Sequence, residues 1–228
     1  MNKLIFLTVL SKKNIYSLKE IFGKKVKLLF VDNVNDLTNL EICSKSTLIS
    51  FKTSIKVPKN LLVKLNGFAY NLHEAPPEYP GRDPHHFGLL NSEKSWGATF
   101  HRLSEKIDEG EILDVKRFKI KKSFYSEDLI ENSYQQCLNF LRKYKVKLCN
   151  MNKIITKNKF MWGKKKSTRK QFLDLCVINV KINNEKYKKI QKATFHSQFN
   201  NLKIKINDDI FEMTKDTFDK LKKTKLKD

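Results

Sequence analysis

The chain has 228 residues, of which 40% are hydrophobic and 31% charged, and its formal net charge is +22 at pH 7. The apolar fraction excludes a wholly disordered chain, and the length suffices for one good-sized domain, or for one domain with a small appendage. No apolar run approaches the roughly 20 residues that span a bilayer, so we expect no membrane partner.

Alternating strand and helix patterns occupy the first 75 residues. The predicted strands are Leu4–Leu10, Val26–Val31, Thr47–Phe51 and Phe68–Leu72, and the predicted helices are Asn14–Phe22 and one that Pro58 opens and Gly67 ends. This alternation predicts an α/β fold with a Rossmann-like, mostly parallel sheet and flanking helices. The glycines form neither GxGxxG nor a P-loop, so we expect no dinucleotide or triphosphate cradle.

A loop rich in proline follows the fourth predicted strand. The segment NLHEAPPEYPGRD begins at Asn71, and we expect its last residue, Asp83, to cap a helix that starts at Pro84. Two further strands are predicted at Trp96–Leu103 and Glu111–Ile120. A long amphipathic helix is predicted after Ser126.

The remainder of the chain is rich in lysine. The sequence predicts helices at Ser167–Cys176 and Asn184–Lys192 and strands at Leu202–Ile206 and Ile210–Met213. We therefore expect a main domain over residues 1–150 and a small α+β C-terminal subdomain over residues 151–228.

The basic excess lies almost entirely in the second half of the chain. Residues 1–115 carry a net +3 and residues 116–228 a net +19. A stripe at Lys164–Lys166, Arg169 and Lys170 would suit RNA, an anionic membrane or a phosphorylated substrate. Lys outnumbers Arg 41 to 5, and we interpret most of these lysines as solvated surface, with polyanion binding as the alternative.

The cysteines and histidines do not have the spacing of a metal site. Cys43, Cys137, Cys149 and Cys176 form no CxxC pair, which indicates reduced thiols in a cytoplasmic protein. The remaining candidates are histidines, and they show neither HxH nor HxxxH spacing. We expect no metal, a structural role for His101, a surface position for His196, and His85 and His86 beside a pocket.

Asn71 and His73 are the first candidates for chemistry. They lie two residues apart at the end of a predicted parallel strand, on one side of it, where open α/β sheets bind ligands. An amide donor beside an imidazole can stabilise an oxyanion and move a proton, although the pair alone is also compatible with a turn or packing feature. A carboxylate is needed to orient the imidazole, and spacing does not choose among the candidates Glu74, Asp83, Asp108, Glu109 and Glu111.

From Asn71 onwards the sequence resembles the signature region of the folate-dependent formyltransferases. Four elements occur in the family's order: Asn71/His73, a proline loop ending at Gly81, Gly97/Thr99/His101, and Asp108/Gly110/Ile112. The segment SFKTSIKVPKNLL from Ser50 resembles the family's cofactor-side strand and helix. The resemblance extends over about residues 45–120.

The resemblance implies formyl transfer from 10-formyltetrahydrofolate to a primary amine. It implies that Asn71 and His73 stabilise the oxyanion and move the proton, and that Asp108 orients His73. The residues implied for the folate are Phe51, Ser54, Ile55, Val57 and Leu62.

The form of the proline loop, EAPPEYPG, resembles that of the nucleotide-sugar N-formyltransferases. It implies a nucleotide-linked amino sugar as acceptor, and the residues considered for binding it are Tyr79, Arg82, His85, Phe160 and Trp162. We expect a cytoplasmic enzyme without a nucleic-acid partner. The sequence leaves open whether the protein forms a homodimer. The alternatives are a methionyl-tRNA formyltransferase-like enzyme acting on aminoacyl-tRNA, a catalytically silent RNA-binding relative, and a hydrolase that removes the formyl group from the folate.

Overall fold

A six-stranded sheet forms the centre of the molecule. A computed structural model describes residues 3–23, 26–40, 42, 45–156, 160–179, 181–198 and 201–212. The strand order is β2-β1-β3-β4-β5-β6, and the first four strands are parallel whereas β5 and β6 are antiparallel to their neighbours. The strands are β1 Lys3–Leu7, β2 Leu28–Val31, β3 Ser46–Phe51, β4 Ala69–His73, β5 Ser95–Arg102 and β6 Ile112–Lys119.

Helices cover both faces of this sheet. One face packs against α1 and α5 through a core that includes Leu18 and Leu138, and the other packs against α2 and α3 through Leu37 and Leu61. The helices of this part are α1 Lys12–Phe22, α2 Val34–Asn39, α3 Lys59–Lys64, α4 Pro84–Leu90 and α5 Ser126–Cys149. The predicted α/β class with a mostly parallel, Rossmann-like sheet is confirmed. None of the helices in these described ranges combines the length and apolar content of a bilayer span.

The predicted elements differ from the observed ones at several places. The first strand ends at Leu7 rather than Leu10, because Ser11 caps α1 by accepting a hydrogen bond from the Asn14 N–H. The sequence reading missed α2, a short helix with little apolar periodicity that is capped by Asn33, and also the three-residue strand β7. Asp83 precedes α4, but it adopts a left-handed conformation and its side chain does not cap the helix.

The C-terminal part forms a second, three-stranded sheet in the order β7-β8-β9. Its elements are α6 Arg169–Leu175, β7 Val177–Asn179, α7 Asn184–Thr194, β8 Lys203–Ile206 and β9 Asp209–Glu212. Helix α7 packs on the main part, where Ala193 shares a core with Leu89, Trp96 and Leu129. The division at residue 150 stays a prediction, and Met213, the predicted end of the last strand, lies outside the described residues.

The described cysteines are thiols rather than disulfides. They are Cys137, Cys149 and Cys176, and burial raises the pKa of each of them, which makes their thiols poor nucleophiles. Cys43 lies outside the described residues.

Candidate active site

A cavity of about 1160 Å³ opens where β3 and β4 end. Parallel strands point their carboxyl ends to the same edge of a sheet, and the chain leaves each strand there in a loop. The loops after β4 and β5 and the segment before α6 complete the cavity wall. Asn71, His73 and Asp108, the three residues expected to be catalytic, all line it.

Strand β4 holds Asn71 and His73 in fixed register. Asn71 lies opposite Ser50 of β3 and opposite His101 of β5, while His73 lies opposite Thr99. Because β5 runs antiparallel to β4, this pairing brings His101 next to Asn71, although 30 residues separate them in the sequence.

Asp108 reaches the site from the loop between β5 and β6. Its Oδ2 accepts a hydrogen bond of 2.8 Å from the Gly81 N–H and lies 3.6 Å from His73 Nδ1, and its Oδ1 lies 3.4 Å from His101 Nε2. Burial opposes ionisation of this carboxyl, but the two imidazoles and the Gly81 N–H outweigh burial and lower the pKa of Asp108 to about 2. Asp108 is therefore a carboxylate at neutral pH.

The hydrogen bonds of His73 define the state of its ring. Nε2 lies 2.9 Å from the Tyr79 carbonyl oxygen, which can only accept, so Nε2 carries the proton and Nδ1 is bare in the neutral ring. Burial lowers the pKa of His73, and the Asp108 carboxylate opposes this only in part. The ring is thus neutral at pH 7, and its Nδ1 can accept a proton beside a carboxylate that stabilises the resulting imidazolium.

His101 contacts the side chain of Asn71, which the sequence did not predict. Its Nδ1 donates to the Arg102 carbonyl at 2.8 Å, so Nε2 of the neutral ring is an acceptor and receives an N–H from Asn71 Nδ2 at 3.0 Å. This bond orients the Asn71 amide with its Nδ2 towards His101. The second N–H of Nδ2 can then donate to a ligand. The expectation that His101 is a structural residue of the strand is therefore incomplete, and its place in the Gly97/Thr99/His101 motif was the signal available in the sequence.

The residues expected to bind folate fall into two groups. Ser54, Ile55 and Val57 line the cavity. Phe51 does not line it, because it is fully buried on the other face of the sheet and stacks on Tyr134 at 5.4 Å. Leu62 packs against the core beneath α3 instead.

Only some of the residues expected to bind the acceptor line the cavity. Arg82 and His85 line the cavity, whereas the side chains of Tyr79 and Trp162 do not. The Tyr79 ring packs on Trp96 at 4.9 Å and its hydroxyl donates to Glu93 at 2.6 Å, so Tyr79 reaches the site only through its carbonyl.

Trp162 lies against the imidazoles from outside the cavity. Its ring meets those of His73 and His101 edge-on, at centroid distances of 5.7 and 4.8 Å, and its Nε1–H donates to the Gly110 carbonyl at 2.8 Å. Trp162 therefore packs behind the two imidazoles. Phe160 does not line the cavity either.

The other candidate carboxylates and histidines are distributed around the site. Asp83 pairs with Arg169, Glu109 with Lys166 and Glu111 with Arg102, which leaves Asp108 as the carboxylate beside His73. The remaining candidate residues are Glu74, which lines the cavity, His86, which donates to the Ala193 carbonyl, and His196, which is half-buried. No group of three or more metal-ligating side chains occurs in the described part of the chain.

The lysine-rich stripe contributes one edge of the cavity. Lys166, Arg169 and Lys170 line it, and the backbone of Ser167 forms a β-bridge with Gly81. Gly81 permits this contact because its φ is +101° and a Cβ there would lie 2.3 Å from the Ser167 carbonyl oxygen. The C-terminal part is thus joined directly to the loop that donates to Asp108.

Comparison with protein families identifies the segment that carries these residues. Residues 54–144 match the formyl transferase family. The bifunctional polymyxin resistance protein ArnA of Wigglesworthia glossinidia brevipalpis is 30% identical over 129 residues, which are 55% of this chain and 20% of that protein. The methionyl-tRNA formyltransferase of Halothermothrix orenii is 31% identical over 101 residues, 42% of this chain and 32% of that protein. The chain thus spans between a fifth and a third of these curated relatives.

Solved structures share the fold over almost the whole chain. A 4-N formyltransferase from Francisella tularensis superposes with a TM-score of 0.79 at 16% identity, covering 93% of this chain and 96% of that one. An N-formyltransferase from Helicobacter canadensis, in complex with folinic acid and dTDP-3-aminofucose, has a TM-score of 0.67 at 17% identity, covering 91% and 85%. Residues 54–144 thus match the formyl transferase family in sequence, and the chain shares its fold with solved formyltransferase structures.

Proposed function

We propose that this protein transfers the formyl group of 10-formyltetrahydrofolate to the primary amine of a nucleotide-linked amino sugar. The convergence of Asn71, His73 and Asp108 in one cavity carries the proposal, because the reaction needs an oxyanion donor, a base and a stabilising carboxylate. The family match over residues 54–144 supports the reaction class. The Helicobacter canadensis relative, which binds folinic acid and dTDP-3-aminofucose, supports the choice of donor and acceptor.

The reaction begins with attack of the neutral amine nitrogen on the formyl carbon. A C–N bond forms, the carbonyl electrons move to oxygen, and the N–H of Asn71 that His101 does not use donates to this oxyanion. His73 removes a proton from the attacking nitrogen on Nδ1, and the imidazolium is stabilised by Asp108. The bond from the formyl carbon to N10 of the folate then breaks, and N10 receives that proton. The products are a formamide and tetrahydrofolate.

The cavity offers chemically different surfaces for the two substrates. Ile55, Val57, Leu103 and Ile107 form apolar surface suited to a flat pterin ring, and residues 52–58 form a loop whose backbone groups do not belong to a helix or strand. Arg82, Lys166, Arg169 and Lys170 line another part and suit a diphosphate. The pterin carries no phosphate, which agrees with the lack of a glycine-rich cradle in the sequence.

The test is the release of tetrahydrofolate from 10-formyltetrahydrofolate in the presence of different acceptors. We expect release with dTDP- or UDP-linked amino sugars and none with Met-tRNA or without an amine. Asn71→Ala, His73→Ala and Asp108→Ala should each lower turnover by about 10²–10³ with the fold intact. Glu105→Ala is the matched control, because Glu105 pairs with exposed Lys59 and lies outside the cavity wall.

Two of the alternatives predict distinct results in the same assay. Release without any amine would identify a hydrolase, and release with Met-tRNA alone would refute the sugar acceptor. Near-normal turnover in all three alanine variants would refute the assignment of the site.

A further inference from the structure

Trp162 contacts three parts of the candidate site at once. The centroid of its ring lies 4.8 Å from that of His101, with the two planes at 85°, and 5.7 Å from that of His73, with the planes at 69°. Its Nε1–H donates to the Gly110 carbonyl at 2.8 Å, two residues beyond Asp108 in the same loop. The reaction as derived above gives this side chain no role.

The backbone that carries this indole is bound to the loop after β4. The Gly163 N–H donates to the Pro77 carbonyl at 2.8 Å, and the Ser167 N–H donates to the Pro80 carbonyl at 2.9 Å. Both carbonyls belong to the loop that follows β4. Residues 162–167, which lie between α5 and α6 in the sequence, are therefore fixed to a loop of the main part, and the indole has a defined position.

The two imidazoles and the carboxylate beside them are nearly inaccessible to water. His73 is 7% exposed, His101 1% and Asp108 5%, although all three line the cavity. Trp162 does not line this cavity and is itself half-buried, so its ring covers the imidazoles on a side that the cavity does not reach. Removing the indole would therefore let water reach the two rings from that side.

Burial is the main reason why the His73 ring is neutral. It lowers the pKa of His73, and the Asp108 carboxylate and the Tyr79 carbonyl oppose it only in part. The other titratable groups whose charge acts on this ring are His101 and His85, and burial lowers the pKa of His85 well below 6.5. The reaction requires a neutral His73, because its Nδ1 must accept a proton from the attacking amine.

From these contacts we propose that Trp162 is a positioning residue, which closes the site behind His73 and His101 and keeps water from their rings. The inference rests on the proposed function, and it adds a residue from outside the segment that matches the formyl transferase family. Without this cover, water would solvate the imidazolium form of His73, and less of the free base would be present at a given pH. The indole N–H also holds the loop of Asp108 through Gly110, but the cover is the property that we expect to govern proton transfer.

The experiment compares Trp162→Ala with Trp162→Phe in the full chain. Trp162→Ala removes the cover, whereas Trp162→Phe keeps an aromatic cover and loses the N–H donor. In Trp162→Ala the midpoint of the His73 titration, followed by proton–carbon NMR, should rise towards 6.5. The acid limb of the pH profile of kcat/KM should move to higher pH with it, because activity is lost as the pH falls through the pKa of the base. In Trp162→Phe both values should stay near those of the wild-type protein.

Steady-state kinetics separate a positioning role from a general loss of structure. We expect kcat of Trp162→Ala to fall by about 10- to 10²-fold, because a small displacement of a reacting group is costly. KM for both substrates should stay nearly unchanged, since the ring does not line the cavity. Met161→Ala is the control, because Met161 is the neighbouring residue and is 82% exposed, and it should change neither the midpoint nor kcat. If Trp162→Ala does not fold, Trp162→Leu gives the same test with a smaller shift in the same direction.

The His73 titration also distinguishes this inference from the proposed function. An unchanged midpoint in Trp162→Ala would overturn the inference even with lower turnover, because the side chain would then act only on stability. An equal shift in Trp162→Phe would overturn it too, since the effect would then come from the bond to Gly110. Failure of the proposed function appears instead as no tetrahydrofolate release by the wild-type protein, and the NMR titration does not depend on that release.

Discussion

At the scale of single residues, the proposed function depends on which ring nitrogen of each histidine already carries a hydrogen bond to the backbone. The Tyr79 carbonyl takes the proton of His73 Nε2, and the Arg102 carbonyl takes that of His101 Nδ1. In both bonds the acceptor is a backbone carbonyl oxygen, which cannot act as a donor. His73 is thereby set up to take a proton, and His101 to orient Asn71.

The titration of His73 tests this assignment directly. Burial lowers its pKa below 6.5, and the Asp108 carboxylate limits the shift. In proton–carbon NMR spectra, with the His73 signal assigned from a His73→Gln variant, we expect its midpoint below pH 6.5. In Asp108→Asn the midpoint should fall further, because the imidazolium loses its carboxylate. A midpoint above 6.5, or a rise in the variant, would contradict the geometry.

At the scale of elements, two contacts that are distant in sequence assemble the site. The antiparallel pairing of β4 with β5 places His101 opposite Asn71. The bridge between Gly81 and Ser167 joins the loop after β4 to the segment before α6. Gly81 also donates its N–H to Asp108, so one residue links the carboxylate to the C-terminal part.

Two glycines with positive φ allow the Gly81 bridge to be tested. Gly23→Ala should destabilise the protein by about 1–3 kcal/mol through backbone strain alone, because no atom of the described residues lies within 4 Å of its added Cβ. Gly81→Ala adds a clash with the Ser167 carbonyl to the same kind of strain. We therefore expect a lower thermal midpoint than for Gly23→Ala and reduced turnover, measured by calorimetry and by tetrahydrofolate release. Equal effects of the two substitutions on both readouts would show that the bridge is unimportant.

At the scale of the whole molecule, the main and C-terminal parts share buried surface. Ala193 is fully buried with Trp96 and Leu129, and the His86 ring stacks on Phe172 at 4.0 Å. The cations of the basic half that line the cavity are brought there by these contacts. The net charge of +22 is therefore partly a property of the candidate site.

Shared burial predicts that the two parts unfold together. Trp96 lies in the core between them and Trp162 packs against His73 and His101. We expect urea unfolding followed by tryptophan fluorescence to coincide with unfolding followed by far-ultraviolet circular dichroism, in one transition. Two separated transitions would show that the parts are independently stable, as the predicted division at residue 150 also allows.

The sequence by itself determined the α/β class, most of the strands and helices, and the Asn71/His73 pair, because these depend on local periodicity and on a two-residue spacing along one strand. Without the family resemblance it did not choose which of five carboxylates lies beside His73, and it did not show that His101 contacts Asn71. Only the tertiary structure decided these points, because they depend on strand pairing and loop packing between distant segments. The same holds for Phe51 and Leu62, which face cores rather than the cavity, because the helices that cover them come from distant parts of the chain.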